Sequence, residues 1–349
     1  MKHMRYGNHG RAGWFAPAIA ALLAACGSGG PTGMATDPPL PLHPIADITI
    51  VPANPALRGQ TLRMDYESID ARNRLLFVAY LGASEVVAID IGSNVIIGHI
   101  AGLNSVHGVL AVPSLHRVYA SATGTDQVAT IDEGDLKVVS RAPGGDYPDG
   151  IAYDASDHAI FVSDEHGGTV TEIDAKTGAH IRTIDVGGEA GNAQYDQKSR
   201  RVFTDVQARD DVAVIDPIAG QVVARHQLAG CDHDHGLLLD TAHRLAFVAC
   251  DGNARLLVID FDDWKELETF AVGDDPDVLA LDPGLGRLYV ASESGVVSVF
   301  QEHGDAVKDI GSAFLAKEAH TVAVDPMTHR VYFALENVNG NAVVRVMAP

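Results

Sequence analysis

The sequence predicts an all-β fold, a seven-bladed β-propeller with four-stranded antiparallel blades, and three observations carry that prediction. One short phrase recurs seven times, about every 42–44 residues. Each copy holds four short apolar runs separated by Gly, Asn, Asp and Pro, with no helical periodicity between them. The last copy is one strand short, and a lone strand signal stands before the first full copy.

The copies open at Asp65, His107, Asp149, Gly191, His235, Asp277 and His320. In each, an apolar run ends in Asp or Pro and a polar turn follows. A second run rich in Phe, Tyr and Val leads to a third ending in Ile-Asp or a relative, and a fourth closes the unit. Four strands at this period make a propeller blade, and seven blades close a ring. The copy from His320 to Pro349 has room for only three strands, whereas residues 45–51 (Ile-Ala-Asp-Ile-Thr-Ile-Val) alternate like one strand. That segment is expected to complete the last blade by pairing with residues 341–347, leaving no open sheet edge.

Three regions follow along the chain: 1–26 as a leader, 27–44 as a Gly/Pro/Ser/Thr-rich tether, and 45–349 as the propeller. Lys2, Arg5 and Arg11 precede an apolar run, Trp14 to Ala25, that is short for a bilayer span. The run ends Leu23-Ala24-Ala25-Cys26, which resembles the bacterial lipobox; Cys26 would then carry the lipid and become the mature N-terminus. The plainer alternative is an ordinary secretory signal cleaved nearby. Either way the expectation is export, with the lipobox reading placing the chain in the bacterial cell envelope, facing the periplasm or the exterior, and touching the membrane through its anchor only.

Export bears on the other two cysteines. Cys231 precedes the fifth inner strand and Cys250 ends the next one, so a hairpin carries both to one edge of that blade. In an oxidising compartment this placement favours a disulfide over free thiols or a metal pair. The formal net charge of -21, with no Lys/Arg cluster, excludes the basic stripe that nucleic-acid binding needs. The arginines fall mostly one per blade at the first turn (Arg74, Arg117, Arg201, Arg244, Arg287, Arg330), which marks them as structural.

Segments such as Val-Asp-Pro-Met-Thr-His-Arg-Val-Tyr-Phe-Ala (324–334) and Leu-Asp-Pro-Gly-Leu-Gly-Arg-Leu-Tyr-Val-Ala (281–291) resemble the YncE-like, YVTN-type β-propeller repeat family over roughly residues 60–349. The resemblance implies the propeller fold and an exported binding or surface protein, without one shared chemistry.

Propeller geometry lets site residues be collected by blade position. The first strand of each blade lines the central channel, so the seven opening residues ring one mouth with three histidines and three aspartates. Asp232, His233, Asp234 and Glu318 lie close by in sequence, and the loops after the second strands add Asp164, Glu165, His166, Asp205, Asp251, Glu293 and Glu336. The residues selected for ligand binding are Asp65, Asp149, Asp277, Glu165, His166 and His233. His107, His235 and His320 are selected for one divalent metal ion (Zn, Fe, Cu or Mn), since imidazoles and carboxylates form mixed shells for these ions. Blades 2, 5 and 7 are not neighbours, so a polar, water-filled mouth without a specific ion stands as the alternative. His116, His158, His243 and His329 follow the inner strands at the other end and read as turn residues outside any site.

No Gly-x-Ser-x-Gly elbow, Walker-type loop or His-Glu-x-x-His pair occurs. The expected function is a monomeric binding or interaction propeller whose partner, a small-molecule ligand or an envelope protein, docks at the His/Asp mouth. A metal-dependent lyase or lactonase using the same histidines, with Asp149, Asp277 or Glu165 as general base, is the second reading. A scaffold with no small ligand is the third.

Overall fold

The computed structural model describes residues 38–349; Cys26, the leader and most of the tether lie outside the described residues. Seven four-stranded antiparallel sheets are arranged as the repeat predicts, six of them running in chain order from an inner to an outer strand. Blade 5 shows the pattern: Asp234–Asp240, Leu245–Cys250, Arg255–Asp260 and Lys265–Ala271. Blade 7 alone is assembled from both ends of the chain. Its inner strands are Ala323–Asp325, Arg330–Val338 and Asn341–Ala348, and its outer strand is His43–Ile50. Pairing runs from His43 opposite Ala348 to Ile50 opposite Ala342, with a bulge between Pro44 and Ala46. The closing strand therefore opens two residues before the sequence signal, and Pro39 makes a further bridge to Ser312 of blade 6.

Burial follows from the alternation. Each blade buries one face on each neighbour, and seven apolar clusters result, one per interface. An aromatic of the second strand anchors most of them: Phe77, Tyr119, Phe161, Phe203, Phe247, Tyr289 and Tyr332 are all buried. Between blades 7 and 1, Ile48 and Ile50 of the closing strand join Tyr332, Leu76, Val78 and Tyr80.

Inner strands carry a register shift near their first residues, for example between Val106 and Val109, Pro148 and Ile151, and Pro276 and Leu279. A bulge re-aims the side chain beside it, which turns the ring residues toward the channel. Glycine follows them where blades approach most closely: a Cβ on Gly108 would lie 2.0 Å from the Asp149 carbonyl, and one on Gly236 2.2 Å from that of Asp277.

At the far end of the inner strands, polar contacts stitch blades together. Arg244 Nη1 lies 3.1 Å from Asp196 of the preceding blade, and His329 Nδ1 lies 2.9 Å from Asp282. Arg117 and Arg201 pair within their own blades with Asp132 and Asp216, the structural role their spacing implied. The turn histidines are less inert than their sequence position suggests, because three of the four meet carboxylates. His116 faces Glu133, His329 faces Asp282, and His243 sits between Asp240 and Glu302. His158 alone of the four has a phenol, that of Tyr153, as its partner.

Glu133 and Glu302 are buried, and each meets a carboxylate of the preceding blade. Burial, then Asp70, pushes Glu133 up to about 7. Burial, then Asp240, does the same to Glu302, also to about 7. Both ordinarily titrate at 4.5. The folded protein thus holds protons that the unfolded chain releases between 4.5 and about 7. This stabilisation is complete below that window and is lost as pH rises through it. With chelator present, stability is expected to fall from pH 5 to pH 8 by on the order of 1–3 kcal/mol for each glutamate. Glu133→Gln and Glu302→Gln flatten that slope in urea titrations; an unchanged slope in the double variant removes these residues as its source.

Candidate functional site

The start of the inner strands opens onto a cavity of about 760 Å³, within the range of small-molecule sites. Asp65, His107, Asp149, His235 and Asp277 of the predicted ring all line it, as do Glu165 and His233. His166 is exposed and lies outside that lining, tilted against Tyr147 with ring centroids 4.2 Å apart. Asp164 is a structural residue, accepting from the Gly145 amide and the Thr169 and Thr171 hydroxyls.

The three ring histidines do not form one ligand set. Among the described residues, the groups of three whose ligand atoms lie within 4.8 Å are Glu165–His166–Glu189, Asp240–His243–Glu302 and Glu293–Glu318–His320. Separation around the ring is the reason, and each imidazole has a different occupation. His107 donates from Nδ1 to the Ser105 carbonyl at 2.8 Å, and its Nε2 meets the Tyr147 hydroxyl at 3.0 Å. His235 Nε2 lies 3.1 Å from Asp277 Oδ1. His320 is fully buried; its Nδ1 donates to the Glu318 carbonyl at 3.0 Å, and its Nε2 has no partner.

Electrostatics divide the ring carboxyls into two kinds. Burial works against charge on both His235 and Asp277, but their contact outweighs it: His235 is held well above its ordinary value and Asp277 below its own. They form an ion pair. Burial pushes Asp65 up, and it pushes Asp149 well above the usual range with the charge of Asp65 adding to it. Glu165 is raised by burial as well. A second buried pair lies in the wall beneath Gly191, the one ring position without a side chain. Burial and the charge of Asp234 raise Asp205, and Asp234 is pushed up to about 8.

Two features escaped the positional reading. The residues two places before the ring form an outer tier, Arg63, Ser105, Tyr147, Glu189, His233, Asp275 and Glu318, of which only His233 and Glu318 are singled out from the sequence. Arg63 Nη2 donates to Glu293 Oε1 at 2.6 Å and its Nε lies 3.9 Å from Asp65. His233 Nδ1 lies 2.7 Å from Asp251 and its Nε2 3.7 Å from Glu189. Stepping two residues back in the blade register would have found this tier. The residues one place after the ring are Tyr66, Gly108, Gly150, Asn192, Gly236, Val278 and Thr321, and among them Tyr66 is the one aromatic. Its hydroxyl donates across the channel to Asn192 Oδ1 at 2.7 Å, while Asn192 donates to the His235 carbonyl at 3.1 Å. Tyr66 lines both the mouth cavity and a lower one of about 460 Å³, and Asn192 lines the lower one. This hydrogen-bonded bar is the floor of the site.

Chemically, the mouth offers seven carboxyls to one arginine: Asp251, Asp275 and Glu293 add to Asp65, Asp149, Glu165 and Asp277, with Arg63 the sole basic residue besides the histidines. Such a wall suits a cation. No protein-family model matches this chain, and no curated protein sequence matches it either. Among solved structures it is similar to Kuenenia stuttgartiensis hydrazine synthase, with a TM-score of 0.67 and 14% identity over 80% of this chain and 94% of that one. A likeness at that identity is one of fold, and it agrees with the blade count above.

Proposed function

We propose that the protein is an exported, lipid-anchored binding propeller that captures a small organic cation at the channel mouth. The carrying observation is the cavity of about 760 Å³ lined by seven carboxyls and a single arginine. That volume far exceeds a bare ion, and a molecule with both positive charge and hydrogen-bond donors can meet the open carboxyls while resting on the Tyr66–Asn192 bar. The leader ending at Cys26, the Cys231–Cys250 disulfide and the likeness of the repeats to YVTN-type propellers support the envelope placement.

Binding a cation favours the ionised forms of Asp65, Asp149 and Glu165, all raised in the free protein. Affinity is therefore expected to rise with pH above the ordinary carboxylate range, with proton release visible as a buffer-dependent calorimetric enthalpy. A thermal-shift panel of polyamines, amino sugars and quaternary amines beside neutral and anionic analogues tests the reading. A ligand at about 100 times its Kd adds about 2.7 kcal/mol, and Asp65→Asn with Asp149→Asn removes that gain. Stabilisation by anionic analogues alone overturns it.

A second reading, a metal-dependent enzyme, has its own observation in Glu293–Glu318–His320, where a buried imidazole nitrogen lacks a partner. Neutral imidazole and two carboxylates would leave open positions on an ion, so bound water could act as a nucleophile. Stoichiometric metal lost in Glu293→Gln/Glu318→Gln, together with turnover of a lactone or ester, favours this reading over simple capture.

A further inference from the structure

We propose a second cation site on the face opposite the mouth, in which Asp240, His243 and Glu302 hold a divalent transition-metal ion that joins blades 5 and 6. The site is independent of the mouth: His235 is the second residue of the inner strand of blade 5 and Asp240 ends that strand.

The case begins with a comparison between blades. The inner strand of blade 4 ends in Asp196, that of blade 5 in Asp240 and that of blade 6 in Asp282. Each of these aspartates faces the next blade. There, the residue four places after the corresponding position is Arg244 opposite Asp196 and His329 opposite Asp282, and both supply a side-chain nitrogen at 3.1 and 2.9 Å. Opposite Asp240 the same place is Gly286. Its backbone matches the others, with φ of 61° against 58° for Arg244 and 60° for His329, so the geometry of the turn is kept and only the side-chain nitrogen is missing.

What fills the slot is an acid. Glu302 lies in the third strand of blade 6, at a place held by Ile91, Ala175, Pro217 and Phe261 in blades 1, 3, 4 and 5 and by Glu133 in blade 2, where His116 occupies the position of Gly286. Glu302 is 6% exposed, and neither carboxylate oxygen has a hydrogen-bond partner. Its Oε2 lies 3.8 Å from His243 Nδ1, which in turn lies 2.6 Å from Asp240 Oδ2. One ligand atom from each of the three lies within 4.8 Å of the others. Two donors each about 2.0–2.2 Å from one ion sit at most about 4.4 Å apart, so small side-chain rotations bring all three onto a common centre. One imidazole nitrogen and two carboxylate oxygens suit zinc and its first-row neighbours. Half-exposed His243 leaves an entry path, and water can complete the shell.

Zinc binding to the full chain in detergent, purified without affinity histidines and stripped of metal, tests the site by chelator competition at pH 7.5. The comparison set is His243→Ala, Glu302→Gln, Gly286→Arg and the mouth variant Glu293→Gln/Glu318→Gln. The expected result is one zinc equivalent retained by the mouth variant and bound at least about tenfold more weakly by the other three. Gly286→Arg supplies the guanidinium that Arg244 provides one interface earlier, so it should abolish binding while Tm without metal is maintained or raised. That outcome separates loss of the site from loss of the fold. Absence of stoichiometric zinc in the wild type overturns the proposal, as does zinc affinity unchanged by both His243→Ala and Glu302→Gln.

Discussion

Ile48→Ala combined with Ile50→Ala is expected to cost about 4 kcal/mol. Both isoleucines belong to the strand that joins the chain ends, at 6% and 3% exposure, and both pack into the cluster between blades 7 and 1. Truncating a buried isoleucine removes its transfer energy and leaves a cavity, about 2–5 kcal/mol in a rigid core. An outer strand relaxes more readily, which places each change near the lower bound. The neighbouring ion pair, Arg345 to Asp47 at 2.9 and 2.8 Å, is partly exposed and contributes less than about 1 kcal/mol. Weakening the closing strand has a further consequence. When it frays, Asn341–Ala348 presents a free edge, so the double variant should self-associate on warming where the wild type does not. Urea denaturation and light scattering measure the two effects. A loss under about 1 kcal/mol would mean that three strands suffice to close the ring.

The repeat made this fold legible because propeller blades are nearly independent of one another: the position of a residue in its blade determines whether it faces the channel, a neighbour or solvent. That is why Asp65, His107, Asp149, His235 and Asp277 could be placed at one mouth from spacing alone. The same reasoning could not rank contacts between blades. Whether His235 meets Asp277 or a shared ion with His107 depends on the ring diameter and on bulges, neither of which has a sequence signal. The Tyr66–Asn192 bar spans the channel between blades 1 and 4, so no local pattern connects its members. His243 was misplaced for a related reason. It stands one residue before the turn position occupied by His116, His158 and His329, and its partner Glu302 comes from the next blade. Deviations from blade consensus, such as Gly286 for a basic residue or Glu302 for an apolar one, carry the information that simple recurrence hides.

Loss of the Cys231–Cys250 disulfide is expected to cost about 3 kcal/mol. The bridge closes a segment with a sequence separation of 19 and a Cα–Cα distance of 5.4 Å. Confining a loop of that length lowers the entropy of the unfolded chain by about 3 kcal/mol at 25 °C. Both half-cystines are buried in the cluster between blades 4 and 5, so the folded state has little room to compensate. The bridge also fastens the approach to the inner strand that carries Asp234 and His235. Cys231→Ala/Cys250→Ala should therefore loosen the mouth as well as lower global stability, with faster amide exchange at 231–236 than at the matching residues of blade 2. Reductant should reproduce the destabilisation in the wild type and leave the double variant unaffected. If the double variant keeps wild-type stability but reductant still lowers the wild type, the loop-entropy account fails, because reduction would be acting elsewhere. If stability and exchange both respond as expected, oxidation becomes a condition for a well-ordered mouth, and the reduced chain would bind the proposed cation more weakly than the oxidised one.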